Sequence, residues 1–254
     1  MKSWALFSHS VGMLVRNFGD LLRVFLVPTL LIVAVCGMFL KVTGLLDVLQ
    51  WGVMTPLQES SGLGGPLFLV VLLSLLIGMW SVVAWHRFVL LEELPQGWVP
   101  HLRSERVMAY FGRSFQILLV LFCMMLPILL VVLFVLMALS GAEPVVLEVI
   151  SLPIAILVTY LVLRLSVILP AAALGVDMGL RDVWRYTGNS FGDILGLAAI
   201  LVAAQYVAEF TINSLAATPS LSVSVSIILS AALALLNISI LTTLYGHYVE
   251  DRPI

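Results

Sequence analysis

The chain has 254 residues, of which 62% are hydrophobic and 10% are charged, and its net charge is −2. Soluble domains are closer to half apolar and a quarter charged, and a fold of this length cannot hide so much apolar surface from water. The composition therefore excludes a soluble globular protein. The small net charge, with no basic tract in the sequence, excludes a nucleic-acid partner.

Six unbroken apolar runs follow one another along the chain. Each is long enough to cross about 30 Å of hydrocarbon as a helix of about 20 residues. Barrel strands would instead alternate in segments of about ten residues, so the runs predict an all-α, polytopic membrane protein. The predicted spans are about 20–41, 66–90, 115–140, 145–170, 191–213 and 222–246.

The basic residues divide unevenly between the two sides of these spans. With the N-terminus inside, eleven fall on the cytoplasmic side and one, Lys41, falls outside. Because Lys and Arg are enriched in cytoplasmic loops, both termini are predicted to be cytoplasmic. The eleven are Lys2, Arg16, Arg23, Arg87, Arg103, Arg106, Arg113, Arg164, Arg181, Arg185 and Arg252.

A short amphipathic segment precedes the first, third and fifth spans. Apolar side chains recur in each at steps of three and four residues, as Trp4, Phe7 and Val11 do in the first. This spacing predicts a helix with one apolar face, and a short basic helix that carries Trp or Phe fits a membrane interface. We therefore expect cytoplasmic interfacial helices over Trp4–Phe18, Val99–Arg113 and Met178–Asn189.

A repeated phrase marks the point where each amphipathic segment meets its span. YFGRSF (110–115) matches YTGNSF (186–191), and RNFGDLL (16–22) resembles NSFGDIL (189–195). The phrase predicts a corner, in which a left-handed glycine closes the first helix and a polar side chain caps the second, followed by an acid. The glycines are Gly112 and Gly188, the caps Asn17, Ser114 and Ser190, and the acids Asp20 and Asp193. The repetition predicts three units within one transmembrane domain, over about 1–94, 95–175 and 176–254.

The third unit carries the stretch LRLSVILPAAALGVDMGLRDVWRYTGNSFGDILGL (163–197). It resembles uncharacterised bacterial inner-membrane proteins of the YciC-like family and the membrane-domain family often attached to glycerophosphodiester phosphodiesterases. The resemblance implies a bacterial inner membrane and a six-span layout. It implies no activity, and the soluble phosphodiesterase domain with its metal-binding acids is absent from this sequence.

Residues suited to catalysis or metal binding are few in this sequence. His86 and His247 lie near the acids Glu92, Glu93, Glu250 and Asp251, which leaves a metal site open as an alternative. No His-x-x-x-His or His-Glu-x-x-His spacing supports that site, and aromatic and histidine side chains commonly anchor helix ends at membrane interfaces. No Gly-x-Ser-x-Gly elbow occurs either. We therefore predict no catalytic, cofactor-binding or metal-binding residues.

Two ionisable residues, Arg164 and Glu209, fall within or near spans. Such charges are costly in a membrane and are candidates for function. Arg164 is long enough to reach the interface, with Asp20 or Asp193 as its partner, so we expect a structural role, tolerance of Arg164→Lys and damage from Arg164→Glu. The alternative is a solute or proton pathway. Glu209 is expected to lie in solvent near the outer surface.

These observations predict a non-enzymatic, multi-pass inner-membrane protein, either an accessory or scaffold subunit of a membrane assembly or a protein that conditions the bilayer. Its expected partners are membrane lipids and other membrane-protein subunits, and no cofactor is expected. The alternative is a small-solute or lipid transporter with a cavity near Arg164, and a membrane enzyme comes third.

Overall fold

The computed structural model describes residues 2–44, 64–94, 97–138 and 144–254. Within these ranges the chain forms nine α-helices, and no strand occurs among the residues described. The predicted third span reaches residue 140 and so ends outside them. The helices are α1 (Lys2–Arg16), α2 (Phe18–Val42), α3 (Gly64–Leu91), α4 (Ser104–Ala138), α5 (Pro144–Ser166), α6 (Ile168–Leu174), α7 (Leu180–Tyr186), α8 (Phe191–Ser214) and α9 (Pro219–Tyr248).

Within the described residues, six helical stretches are long and apolar enough to cross a membrane, which confirms the predicted all-α, multi-pass fold. The fourth combines α5 and α6, which meet at Val167. Pro170 accounts for this break, because it has no N–H to donate to the carbonyl of Ser166 four residues earlier. The stretches are Phe18–Val42, Gly64–Leu91, Ser104–Val132, Ser151–Leu174, Phe191–Ser214 and Pro219–Tyr248.

Contacts divide the chain into two compact units, one of Asn17–Phe111 and the other of Met1–Arg16 with Gly112–Ile254. In the first unit α2 packs along α3. Val24 and Val83 are buried there, and the rings of Phe25 and the buried Trp85 lie 6.1 Å apart. The division into three repeated units, which rests on sequence similarity, stays a prediction.

The second unit has its core around α6, which is buried over most of its length. Ile168 and Ala171 of this helix are buried, and α6 packs against α9, where Leu244 is buried too. α6 has no polar face of the kind that a surface helix carries. A helix that is apolar all round is typically buried on every side.

Helix α1 packs against α8 and α9 within the second unit. Its buried residues are Leu6, Ser10 and Met13, whereas Trp4 and Val11 of the predicted apolar face are exposed. The predicted apolar face therefore remains available to a membrane interface. The adjacent face, with Leu6, Ser10 and Met13, packs against α8 and α9.

The first and third predicted corners coincide with helix ends. α1 ends at Arg16 and α2 begins at Phe18, with Asn17 between them, and Ser190 precedes α8. Neither side chain makes the predicted capping hydrogen bond. The physical reason is the backbone: with ψ of 27° and 19° the two residues lie outside the β region that aims a cap side chain at the helix N–H groups. Asp20 and Asp193 do lie in the first turns of their helices.

The second predicted corner, with its cap at Ser114, is wrong. α4 runs without interruption from Ser104 to Ala138, so both Gly112 and Ser114 lie inside it. Ile117 stands where the other two copies carry an acid, and the local signal for a new helix start is therefore weaker. Of the predicted helix Val99–Arg113, only the part from Ser104 onwards is helical.

The left-handed glycines lie at other positions than predicted. Among the described glycines, Gly44 (φ 71°) and Gly175 (φ 86°) have positive φ, and Gly112 and Gly188 do not. Gly175 closes α6, where its N–H donates to the carbonyls of Ala171 (2.9 Å) and Ala172 (3.2 Å). A residue without Cβ adopts this conformation at no steric cost.

Candidate functional site

Arg164 lies in the last turn of α5 and is only 7% exposed. Its guanidinium donates from Nε to Thr187 Oγ1 (2.9 Å), from Nη1 to the Tyr160 hydroxyl (2.5 Å) and from Nη2 to the Trp184 carbonyl (3.4 Å). The same group stacks on the indole ring of Trp184, 3.8 Å from its centroid. Hydrogen bonds and an aromatic face thus surround the charge.

Local sequence places these partners. Tyr160 stands one turn before Arg164 on α5, and Trp184 and Thr187 belong to α7 and its end. Thr187 in turn donates to the carbonyl of Val183 (2.7 Å), so its hydroxyl both accepts from the guanidinium and donates within its own helix. The short helix α7 is thereby tied to α5 through one side chain.

The predicted carboxylate partner of Arg164 is wrong. Among the described residues, no carboxylate lies within ion-pairing distance of the guanidinium. Asp20 pairs instead with Arg23 at 3.0 Å, and Asp193 remains in the first turn of α8. Neutral oxygen acceptors and the Trp184 ring satisfy the cation without a second charge, because both stabilise positive charge in a desolvated place.

Glu209 is exposed on α8, beside the buried Ala208. Its exposure agrees with a solvated or headgroup-facing carboxylate and places it outside the protein core. The structure does not bring Glu209 into a cluster with Arg164.

The histidines do not meet in a metal site within the described residues. His86 is fully buried in α3, with its ring 5.9 Å from that of Tyr110. His247 Nδ1 lies 3.0 Å from the carbonyl oxygen of Arg252. No group of three His, Cys, Asp or Glu side chains converges in the part of the chain that the structure describes.

A cavity of about 840 Å³ in the first unit forms a second candidate site. Its charged lining residues are Arg87, Glu93, His101 and Arg103, and we call these four residues the basic cluster. Arg87 donates to Glu93 through Nε (2.9 Å) and again through Nη2, and Arg103 Nη2 donates to the same carboxylate at 3.1 Å. One carboxylate is therefore shared by two guanidinium groups.

The chain direction after α3 creates this arrangement. α3 ends at Leu91, and Glu92 takes a left-handed conformation (φ 56°). Such a φ is uncommon for a residue with a side chain and reverses the chain locally. Glu93 can then fold back to Arg87, which lies one turn inside the helix. The sequence indicates Arg87 and Arg103 only as signals of topology, because their pairing with Glu93 depends on this turn.

Electrostatics within the basic cluster favour an ionised Glu93. The hydrogen bond from Arg87 lowers the pKa of the Glu93 carboxyl below its ordinary value, and the charges of Arg87, Arg103 and His101 add to this effect against a smaller opposing effect of burial. The carboxylate cancels one of the two guanidinium charges, so the cluster keeps an excess of positive charge.

Apolar side chains also line the cavity. Leu94, Trp98 and Val99 are each exposed over more than half of their surface, and we call them the apolar rim. The buried Val24 and Val83 line the cavity as well. The site therefore combines the charges of the basic cluster with an exposed apolar rim.

Comparison of the chain with protein-family models, with curated proteins and with solved structures gave no match in any of the three.

Proposed function

We propose that this chain is a non-enzymatic, multi-pass protein of a bacterial inner membrane that accompanies a membrane assembly as an accessory or scaffold subunit, or conditions the surrounding bilayer. The supporting observation is the exposure of the third span, Ser104–Val132. Only 6% of an apolar stretch of 18 residues in this span is buried. A spanning helix with so little of this stretch buried offers most of its surface to lipid or to a helix of another subunit, since helix association in membranes depends on packing of such faces.

Crosslinking from the third span tests the accessory role. A photoreactive residue at Phe122 (63% exposed) is expected to capture one defined membrane protein in living cells. The same residue at Ile227 on α9 (64% exposed) serves as the matched control and is expected to capture lipid only. Mass spectrometry of the adducts gives the readout. Lipid adducts alone from both positions would reject an accessory subunit and leave the bilayer-conditioning role.

The alternative, a transporter with a cavity near Arg164, receives less support from the geometry. Three protein acceptors and an aromatic ring already occupy the guanidinium, and its remaining exposure is small. A transported solute would have to displace these contacts. The described cavity of about 840 Å³ lies in the other unit, beside Arg87.

Cytoplasmic termini are part of the proposal. The described residues contain six candidate spans, and an even number supports both termini on one side of the membrane. The uneven division of basic residues favours the cytoplasmic side. Alkaline phosphatase fused after residue 219 is expected to be active, because this position lies outside, and the same enzyme fused after residue 254 is expected to be inactive. An active fusion after residue 254 would overturn the orientation.

A further inference from the structure

The basic cluster lies at a membrane surface. α3 and α4 both contain spans, and the cluster is formed by the segment that joins them together with the end of α3. A segment between two successive spans must emerge on one side of the bilayer. This position does not depend on whether the protein accompanies a larger assembly.

Charge in the cluster points to an anionic ligand. Arg87 is buried and held by Glu93, whereas the Arg103 side chain is 43% exposed and gives one N–H to the same carboxylate. A guanidinium carries five N–H donors in a planar fork, so Arg103 has donors left that a ligand can use. His101 lines the same cavity. Phosphate oxygens are the acceptors that an arginine fork matches best.

The apolar rim narrows the ligand to an amphiphile. Leu94, Trp98 and Val99 line the cavity with their exposed apolar surface, beside the charged residues. Trp side chains favour the headgroup level of a bilayer, where acyl chains begin. The volume of about 840 Å³ falls within the range of small-molecule sites, about 300–1,000 Å³, and far exceeds the space that a free phosphate ion fills.

We propose that this cavity binds the headgroup of an anionic phospholipid, with Arg103 and His101 meeting the phosphate and Leu94, Trp98 and Val99 contacting the start of the acyl chains. Glu93 holds Arg87 and Arg103 in place but competes with the lipid for them, because its carboxylate accepts hydrogen bonds from both guanidinium groups. The site takes one lipid molecule from the surrounding leaflet.

Native mass spectrometry of the purified full-length protein in neutral detergent tests this site. Titration with phosphatidylglycerol is expected to give one tightly retained lipid per chain, while phosphatidylcholine is retained at least about tenfold less. Both lipids carry the phosphate, but choline brings a positive charge close to a cluster that already has an excess of positive charge, and one such repulsion accounts for a factor of that order. Inorganic phosphate at equal concentration is expected to leave phosphatidylglycerol binding unchanged. Equal retention of both lipids, or displacement by inorganic phosphate, would overturn the proposal.

Two variants and a control separate the site from general surface charge. Arg103→Ala is expected to weaken phosphatidylglycerol binding about tenfold. Arg181→Ala removes the same charge from an exposed position in the other unit and is expected to leave binding unchanged. An equal loss in both variants would show that the lipid responds only to net charge, and the proposal would fail.

Glu93→Gln tests this competition, because the change is expected to affect lipid binding and stability in opposite directions. The amide keeps the shape of the side chain but removes the negative charge, so phosphatidylglycerol binding is expected to tighten several-fold even though the lipid-free protein melts at a lower temperature. A purely structural role would lower both lipid binding and melting temperature. Weaker phosphatidylglycerol binding in a folded Glu93→Gln protein would therefore contradict the proposal.

Discussion

Replacing Arg164 by Glu is expected to lower the free energy of unfolding by about 3–5 kcal/mol, the range seen when a buried charge is left uncompensated. The new carboxylate would face the carbonyl oxygen of Trp184, which accepted a hydrogen bond from the arginine. It would also lie against the negative face of the indole ring, which stabilises only a cation. Both contacts change from attraction to repulsion.

Arg164→Lys is expected to be damaging as well, which revises the tolerance expected from sequence. A lysine has no planar fork and cannot reach Thr187, Tyr160 and the Trp184 carbonyl while stacking on the ring. With each hydrogen bond to a charged group worth about 1.5–3 kcal/mol, we expect a loss of about 1–3 kcal/mol, smaller than for Glu. A double-mutant cycle with Trp184→Leu is expected to show coupling of about 0.5–2 kcal/mol between the two residues.

Thermal unfolding in detergent measures these changes, and Arg181→Glu is the control. Arg181 is exposed in the same unit, so the same reversal of charge there is expected to change stability by less than about 0.5 kcal/mol. An Arg164→Lys protein as stable as the natural one, but unable to support uptake of a solute, would contradict the structural role. The transporter alternative would then replace it.

The spans could be predicted from sequence because their signal is strong and local. A run of about 20 apolar residues has few other solutions, and six such runs became six helical stretches. The partners of Arg164 could not be predicted in the same way. Complementary charge suggested Asp20 or Asp193, but the actual partners are two hydroxyls, a carbonyl and a ring, which many positions in the sequence could supply.

The corners show how a tertiary contact decides between two similar phrases. In YTGNSF, Thr187 ends α7 and accepts a hydrogen bond from Arg164. In YFGRSF, the matching position is Phe111, whose side chain has no oxygen to accept such a bond. YTGNSF therefore separates α7 from α8, whereas YFGRSF lies within α4. The short motif predicted a corner in both places because it contained no information about Arg164.

The docking of α1 depends on polar atoms that the hydrophobic pattern does not reveal. Ser10 Oγ donates to Thr243 Oγ1 (2.9 Å), and Ser239 Oγ donates to the carbonyl of Ser10 (2.9 Å). These atoms are buried between α1 and α9. Small side chains bring the helices close enough for such bonds, and interhelical bonds of this kind stabilise membrane helix packing.

Gly196→Leu is expected to loosen the packing of α1 against α8 and to lower the free energy of unfolding by about 1–3 kcal/mol, as overpacking does. A Cβ at residue 196 would lie 2.5 Å from Ser3 Oγ and 3.1 Å from Ser3 Cβ. The hydroxyl can rotate away, but the Cβ moves only with α1, and the larger leucine side chain requires more room still.

Gly192→Leu provides the matched control for this change. Gly192 stands one turn earlier on α8, and nothing lies within 4 Å of a Cβ there. Amide hydrogen exchange in α1 is expected to accelerate in Gly196→Leu and to stay unchanged in Gly192→Leu. The smaller variant Gly196→Ala is expected to regain the natural exchange rate when combined with Ser3→Gly, because that second change removes both atoms that the new Cβ meets. If the two leucine variants accelerated exchange equally, helix-wide effects of replacing glycine would explain the result, and close contact between α8 and Ser3 would not hold α1 in place.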